Sequence, residues 1–252
     1  MNKNDILWRV INCKVHEKRL KKFKQKANDA SIPHVTRVSC INGKKFTNNK
    51  FCSLINEGIL NPNADLTPTE VAICLSHAKC WQQLLNSKAK YMVIFEDDAR
   101  PYKSFMQKFN TIMGANLDFD VFWLYNGNWN MTKHAYTKVT TVDKISIYRE
   151  NLRYIASCSC YMLTREWAQY LHDKMFPIMH PVDDFMGMVK IKSGKHYTVN
   201  NTKRKDASYD CFTISPFMYV PCPSDTTTTQ TYYSETIKER KLNYCKQFKK
   251  LL

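Results

Sequence analysis

Apolar residues fall in short runs separated by amphipathic stretches, and the two periods alternate along the first half of the chain. Trp8-Arg9-Val10-Ile11-Asn12 predicts a buried strand, and Glu17 to Ala27 sets Leu20, Phe23 and Ala27 on one stripe of a basic helix. His34 to Cys40 predicts a second strand, turned by Asn42-Gly43. Strand, helix, strand is the opening of a doubly wound α/β sheet. The next helix has a well-marked start. Thr67-Pro68-Thr69-Glu70 supplies an N-cap, a proline in the first turn and the acid of a capping box, and apolar positions from Val71 to Leu85 carry the helix to about Asn86. Glu70, Cys74, His77 and Trp81 share one face of it.

Tyr91 to Phe95 leaves no alternate position for a solvated face, which predicts a strand covered on both sides, and it ends abruptly in Glu96-Asp97-Asp98. Tyr102 to Met113 then predicts a helix, and Asp120 to Tyr125 a further buried strand ending at Asn126-Gly127-Asn128. Residues 128–150 predict loops with short strands, Ile155 to Leu163 an extended segment and Arg165 to Lys174 a helix. Met179-His180-Pro181-Val182-Asp183-Asp184-Phe185 sets a second acidic pair after a proline, at the head of a helix running to about Lys190. Residues 192–210, with His196, predict a polar loop; Phe217 to Val220 reads as a strand, and a basic helix over about 235–252 closes the chain.

Composition narrows the class. A chain of 252 residues, 44% hydrophobic, suits one large domain over 1–252 with a proper core. Its net charge of +16 invites a nucleic-acid reading, yet residues 1–50 carry +10 and residues 235–252 carry +4, leaving +2 for the middle. The basic residues are terminal, as solvated helix faces are, and nucleic acid is not expected as a partner. With 6 glycines and no Gly-x-Gly-x-x-Gly after the first strand, a dinucleotide fold is disfavoured. The ten cysteines show no Cys-x-x-Cys pair, and no secretory signal opens the chain, so free thiols in a reducing, cytoplasmic setting are expected. No apolar run reaches the roughly 20 residues of a membrane span.

The candidate chemistry lies at the strand ends, where open α/β sheets hold their ligands. Three successive carboxylates repel one another unless a positive charge sits among them, and hard divalent ions take oxygen ligands of this kind. The plainer reading makes Glu96 to Asp98 an exposed turn and helix N-cap before Pro101, and the triplet alone does not decide between the two.

Taken together, Val10-Ile11-Asn12 with Lys18-Arg19, Val38 to Lys44, Thr69-Glu70-Val71 through Leu75-Ser76-His77 to Trp81, and Phe95-Glu96-Asp97-Asp98-Ala99-Arg100 resemble glycosyltransferase family 25. The likeness is to the galactosyltransferase domain of collagen-modifying enzymes and to lipopolysaccharide sugar transferases. Asp120 to Leu124, Cys160 to Leu163, Pro181 to Phe185 and Ser234-Glu235 continue it over nearly the whole chain. The resemblance implies a GT-A type fold, its mostly parallel central sheet flanked by helices. It implies a UDP-sugar donor (galactose or glucose), manganese or magnesium, and inversion at the anomeric carbon. The acceptor it implies is a hydroxyl of a glycan or of a hydroxylysine-containing, collagen-like protein. Carried over by position, Asp98 is the first choice for the metal, with Asp97 and His196 as further ligands. Glu96 or Asp97 serves the nucleotide side, and Glu70, Ser76, His77 and Arg100 belong to the donor pocket. Asp183 and Asp184 divide the donor-sugar contact and the base between them, Asp184 being taken as base. The chain departs from collagen-type relatives at Cys222-Pro223-Ser224, where they carry a histidine after the proline, and water completing the metal sphere is an alternative to His196. These departures favour a viral or bacterial type of enzyme. The rival expectation is a catalytically inactive relative that binds a nucleotide-sugar or a glycan.

Overall fold

The computed structural model describes residues 5–124, 136–150, 158–189, 196–199, 202–203 and 209–210. The chain runs β1 (Ile6–Asn12), α1 (Glu17–Asp29), β2 (Thr36–Ser39), α2 (Asn48–Asn56), α3 (Pro68–Leu85), β3 (Tyr91–Glu96), α4 (Phe105–Gly114) and β4 (Val121–Trp123). It continues through β5 (Tyr136–Val142), β6 (Ile145–Glu150), β7 (Cys160–Thr164), α5 (Arg165–Met175), α6 (Val182–Val189) and β8 (His196–Val199), with a small ribbon of β9 (Thr202–Lys203) and β10 (Tyr209–Asp210). The strand expected over 217–220 and the basic helix over 235–252 lie outside the described residues, as do Asn126-Gly127-Asn128 and Cys222-Pro223-Ser224.

Eight strands form one sheet in the order β2-β1-β3-β7-β4-β8-β6-β5. β2, β1 and β3 are parallel, β7 enters antiparallel between β3 and β4, β8 runs parallel to β4, and the β5–β6 hairpin closes the far edge antiparallel. The sheet is therefore mixed: β1, β2, β3, β4, β5 and β8 point one way, in keeping with the mostly parallel sheet expected, and β6 and β7 run against them. Burial pattern reports which faces are covered, not which way a strand runs. The short strands expected within 128–150 form a hairpin over 136–150: Asp143 and Lys144 turn it with φ of 45° and 68°, a two-residue turn made without the usual glycine signal.

Both faces of the sheet are covered, which is why β3 has no polar alternate. Met92 and Ile94 pack with Trp81 and Leu84 of α3, Leu171 of α5 and Met186 of α6. Val93 and Phe95 face the other way, into Phe23 and Ala27 of α1 and Phe105 and Phe109 of α4. The helix starts explain themselves locally. Thr67 Oγ1 accepts from the Glu70 N–H while the Glu70 carboxylate accepts from the Thr67 N–H, the capping box read from the sequence. α2, which the sequence pattern does not predict, is capped by Thr47. No helix of the described residues is long and apolar enough to cross a membrane.

One expectation is overturned. Cys13 and Cys40 are not free thiols: they form a disulfide, with 4.8 Å between Cα atoms, because β1 and β2 are parallel neighbours and both cysteines follow their carboxyl ends. Among the described residues Cys52, Cys74, Cys80 and Cys158 keep their thiols.

Candidate active site

Parallel pairing of β1 with β3 brings Ile11 level with Glu96, so the residues that leave each strand meet at one edge. Asn12 is buried there. Its amide donates to Asp97 Oδ2 at 2.6 Å and to the His16 carbonyl at 3.1 Å, and its Oδ1 accepts from Arg37 Nε at 2.9 Å. Arg19, on the first turns of α1, lies with Nη2 2.6 Å from Asp97 Oδ1 and 3.1 Å from Asp98 Oδ2. The positive charge that a row of acids requires is thus supplied in part by the chain itself.

Asp97 and Asp98 differ in what is left over. Both Asp97 oxygens are engaged; its burial raises the carboxyl above the usual range, with Arg19 and Asn12 pulling the other way. Asp98 has 34% of its side chain exposed, yet its Oδ1 is buried without a partner. Burial first, and then the neighbouring Glu96, push the Asp98 carboxyl up to about 6 against the pull of Arg19. Arg100 folds back on the same turn, donating to the Asp98 and Ala99 carbonyls at 3.0 and 3.2 Å.

The second acidic segment arrives from the other side. Asn61 N–H donates to the Ile178 carbonyl at 3.0 Å and Ile178 N–H to the Ile59 carbonyl at 2.8 Å, which pins the segment before α6 beside the approach to α3. Val182 and Met186 then enter the core that holds Cys74 and Trp81. Asp183 Oδ1 accepts from the Asp184 N–H at 3.1 Å. Burial, and next Asp184, raise the Asp183 carboxyl to about 6, and Glu96 adds to the rise. Asp184 is raised by burial and by Glu70, with His180 acting against it. Beneath both acids the Cys158 thiol is pushed well up, by burial and then by Asp183 and Glu96. The Glu96 N–H donates to the Ser159 carbonyl at 2.9 Å and Cys158 Sγ lies 3.8 Å from Met186 Sδ, so the end of β3 and helix α6 share one neighbourhood.

The face of α3 read from the sequence contributes unequally. Glu70 closes its capping box while lying within electrostatic reach of Asp184. His77 is buried, with Nδ1 2.8 Å from the Tyr161 hydroxyl and Nε2 3.3 Å from Glu96 Oε1. Ser76 points elsewhere: its hydroxyl accepts from the Ile41 N–H at 2.9 Å and donates to the Ala72 carbonyl at 2.6 Å, tying the loop after β2 to the helix. Its hydrogen bonds within the chain fit a structural tie better than a donor contact.

The set Asp97, Asp98 and His196 is not assembled as a ligand trio. His196 pairs with Val121 at the amino end of its strand, and through Leu163 that register falls at Met92, four residues short of Glu96. At a strand rise of ~3.3 Å per residue its backbone falls roughly 13 Å short of the acid edge along the strand direction, and β8 lies three strands across the sheet from β3; its side chain is outside the described part. Among the described residues no group of three or more His, Cys, Asp or Glu could hold a metal ion. A divalent ion nonetheless suits Asp98, whose Oδ1 is a buried acceptor lacking a donor. A hollow at the opposite end of the sheet, lined by Asp5, Lys90, Tyr91, Asn116, Phe119 and Phe122, offers one carboxylate already paired with a lysine at 3.5 Å, so the acid edge is the better site.

Arg19, Asn12 and Tyr161 were not given roles from the sequence. Arg19 had a signal: it is the one arginine among the lysines from Lys14 to Lys26, a turn before the buried Phe23. The other two read as ordinary strand positions.

Residues 8–186 match the family model described as Glycosyltransferase family 25 (LPS biosynthesis protein). The match spans both acidic segments and ends shortly after the second, short of the whole-chain likeness expected. No curated protein matches the chain. Among solved structures, the crystal structure of A197 from STIV is similar at 13% identity over 77% of this chain and 80% of that one, with a TM-score of 0.38, too slight a likeness to bear on the fold.

Proposed function

The chain belongs to glycosyltransferase family 25, and from that premise we propose that it transfers a hexose from a UDP-sugar to an acceptor hydroxyl, with inversion, on a GT-A type fold. The acceptor class is a glycan or a hydroxylysine-containing protein. The observation that carries this reading is how the two acidic segments are tied together: the Glu96 N–H donates to the Ser159 carbonyl at 2.9 Å, and the adjoining Cys158 Sγ lies 3.8 Å from Met186 Sδ on α6, while Asp98 Oδ1 is buried with no partner among the described residues. A donor placed there meets carboxylates from two walls.

In the reaction the acceptor oxygen attacks the anomeric carbon, the bond from that carbon to the diphosphate oxygen breaks, and the hydroxyl proton passes to a carboxylate. Asp184, which faces Glu70 and His180 at the outer side, takes that proton. Asp183, fixed by its own helix and facing Glu96, contacts the donor sugar. Asp98 would hold a manganese or magnesium ion through its Oδ1, while Asp97, committed to Asn12 and Arg19, orients the turn. Such an ion, when bound, stabilises the charge that develops on the leaving diphosphate. The Asp184 carboxyl is raised above the ordinary range by burial, which makes it a stronger base and suits general-base work.

The test is manganese-dependent UDP release from a panel of UDP-sugars by the wild type, Asp98→Asn and Asp184→Asn. Release lost in both variants supports the reading. Donor binding without release by the wild type favours the inactive binding module, and release unchanged in both variants overturns the site.

A further inference from the structure

A second buried polar network near the site ends on Glu96 rather than on a proposed base. The Trp81 indole N–H donates to the Tyr161 hydroxyl at 3.1 Å, that hydroxyl lies 2.8 Å from His77 Nδ1, and His77 Nε2 lies 3.3 Å from Glu96 Oε1. Trp81, Tyr161 and His77 are all but fully buried, and the His77 and Tyr161 rings stack at 5.7 Å. Three elements contribute: α3 gives Trp81 and His77 one turn apart, β7 gives Tyr161, and β3 ends in Glu96.

Counting donors fixes the direction of the chain. An indole nitrogen only donates, so the Tyr161 oxygen accepts from Trp81 and its single O–H is free to go to His77 Nδ1. Were His77 Nδ1 to donate instead, the buried Tyr161 O–H would be left without an acceptor, a costly arrangement away from water. A neutral His77 therefore carries its hydrogen on Nε2, aimed at Glu96. Glu96, with 30% of its side chain exposed, has one oxygen steered by that N–H and the rest of its carboxylate open to the site.

We infer that Trp81, Tyr161 and His77 are positioning residues whose hydrogen-bond relay orients Glu96 to accept from hydroxyl groups of the donor. The inference deepens the glycosyltransferase reading and rests on it for the identity of the ligand. It makes Glu96 a specificity-determining contact: a fixed acceptor discriminates against a donor that lacks the matching hydroxyl because its partner is then left unpaired.

Two measurements test it. In protein labelled with 15N-histidine, long-range proton–nitrogen correlation reads the His77 tautomer directly, assigned by loss of the signal in His77→Gln. The Nε2–H form is expected in the wild type and in Tyr161→Phe alike, because Glu96 still accepts from Nε2 after Nδ1 has lost its partner. The second is titration calorimetry of UDP-glucose and UDP-galactose, with unfolding temperature as the control for folding. Gln places a donor nitrogen near that of His77 Nε2, so His77→Gln should keep donor affinity within about threefold, while His77→Phe should lose about ten- to a hundredfold, as expected for a hydrogen bond to a charged group. A wild-type Nδ1–H tautomer overturns the relay. A folded His77→Phe with unchanged affinity, or His77→Gln as poor as His77→Phe, overturns the positioning role. Should neither UDP-sugar bind the wild type, the donor assignment fails, and the tautomer still decides the relay.

Discussion

Asp97 and Asp98 are neighbours in the chain, and their surroundings separate their tasks. Asp97 is held by an amide and a guanidinium, whereas Asp98 shares the guanidinium and retains a buried oxygen without a donor. Arg19→Gln removes the cation between them and is expected to cost about 1–3 kcal/mol in urea denaturation. The variant's unfolding temperature should then rise more on adding manganese than the wild type's does. Equal stability of the two proteins would show that Arg19 is not the counter-ion. Asp183 gives a prediction of opposite sign. Its carboxyl is raised from 3.8 to about 6, so the fold favours its protonated form: that contribution is fully present below pH 3.8 and is lost as pH rises through about 6. Asp183→Asn should therefore be more stable than the wild type above that range, by about 1–2 kcal/mol after allowing for partial exposure. The difference should vanish in acid unfolding curves, while donor turnover is lost at every pH. For Asp184, raised in the same direction, protonation removes the base, so turnover should fall on the acid side, starting above the ordinary carboxylate range.

At the scale of elements, two contacts hold the frame around the acid edge. Gly43 presses on the start of α3, where a Cβ would stand 2.7 Å from Thr69 Cα and closer still to the Pro68 carbonyl. Gly43→Ala must push backbone from backbone, with an expected loss of about 1–3 kcal/mol in thermal or chemical denaturation. At the other end of α3, the Arg165 guanidinium donates to the carbonyls of Leu85, Ser87 and Ala89, with bonds of 2.8 Å to Leu85 and 2.7 Å to Ala89. It satisfies orphan acceptors at a helix C-terminus and joins α3 to the start of α5. Arg165→Lys should lose most of this function, since an ammonium lacks the planar fork that reaches several carbonyls, and a drop of about 2 kcal/mol or more is expected in the same assays. The capping box of α3 was legible because it consists of near neighbours. Gly43 was legible only as a turn, since the helix it touches lies further along the chain.

For the molecule as a whole, the mixed sheet places the carboxyl ends of β1 and β3 together and brings α6 over them. The Cys13–Cys40 disulfide closes this edge behind Asn12, across a sequence separation of 27. In the chain-entropy account a loop of that size contributes about 3–4 kcal/mol. Reductant, or Cys13→Ser with Cys40→Ser, should lower the unfolding temperature; no change would mean that the parallel pairing of β1 and β2 already holds the edge. The bond also corrects the expectation of free thiols at Cys13 and Cys40, which followed from the chain's opening residues and the absence of a Cys-x-x-Cys pair and not from which cysteines meet.

The chain by itself determined the covered strand Tyr91–Glu96, the helix begun at Thr67, the alternation of strand and helix, and the two acidic segments, because each depends on periodicity or on residues a turn apart. It did not determine strand direction beyond β3, the disulfide, the commitment of Ser76 to the Ile41 N–H, or the distance of the His196 backbone from the acids. Those depend on which segments become neighbours when the sheet closes. Arg19 reaching Asp97 and Tyr161 reaching His77 are contacts of that kind, and tertiary packing alone could turn a row of like charges into a site with one oxygen left open.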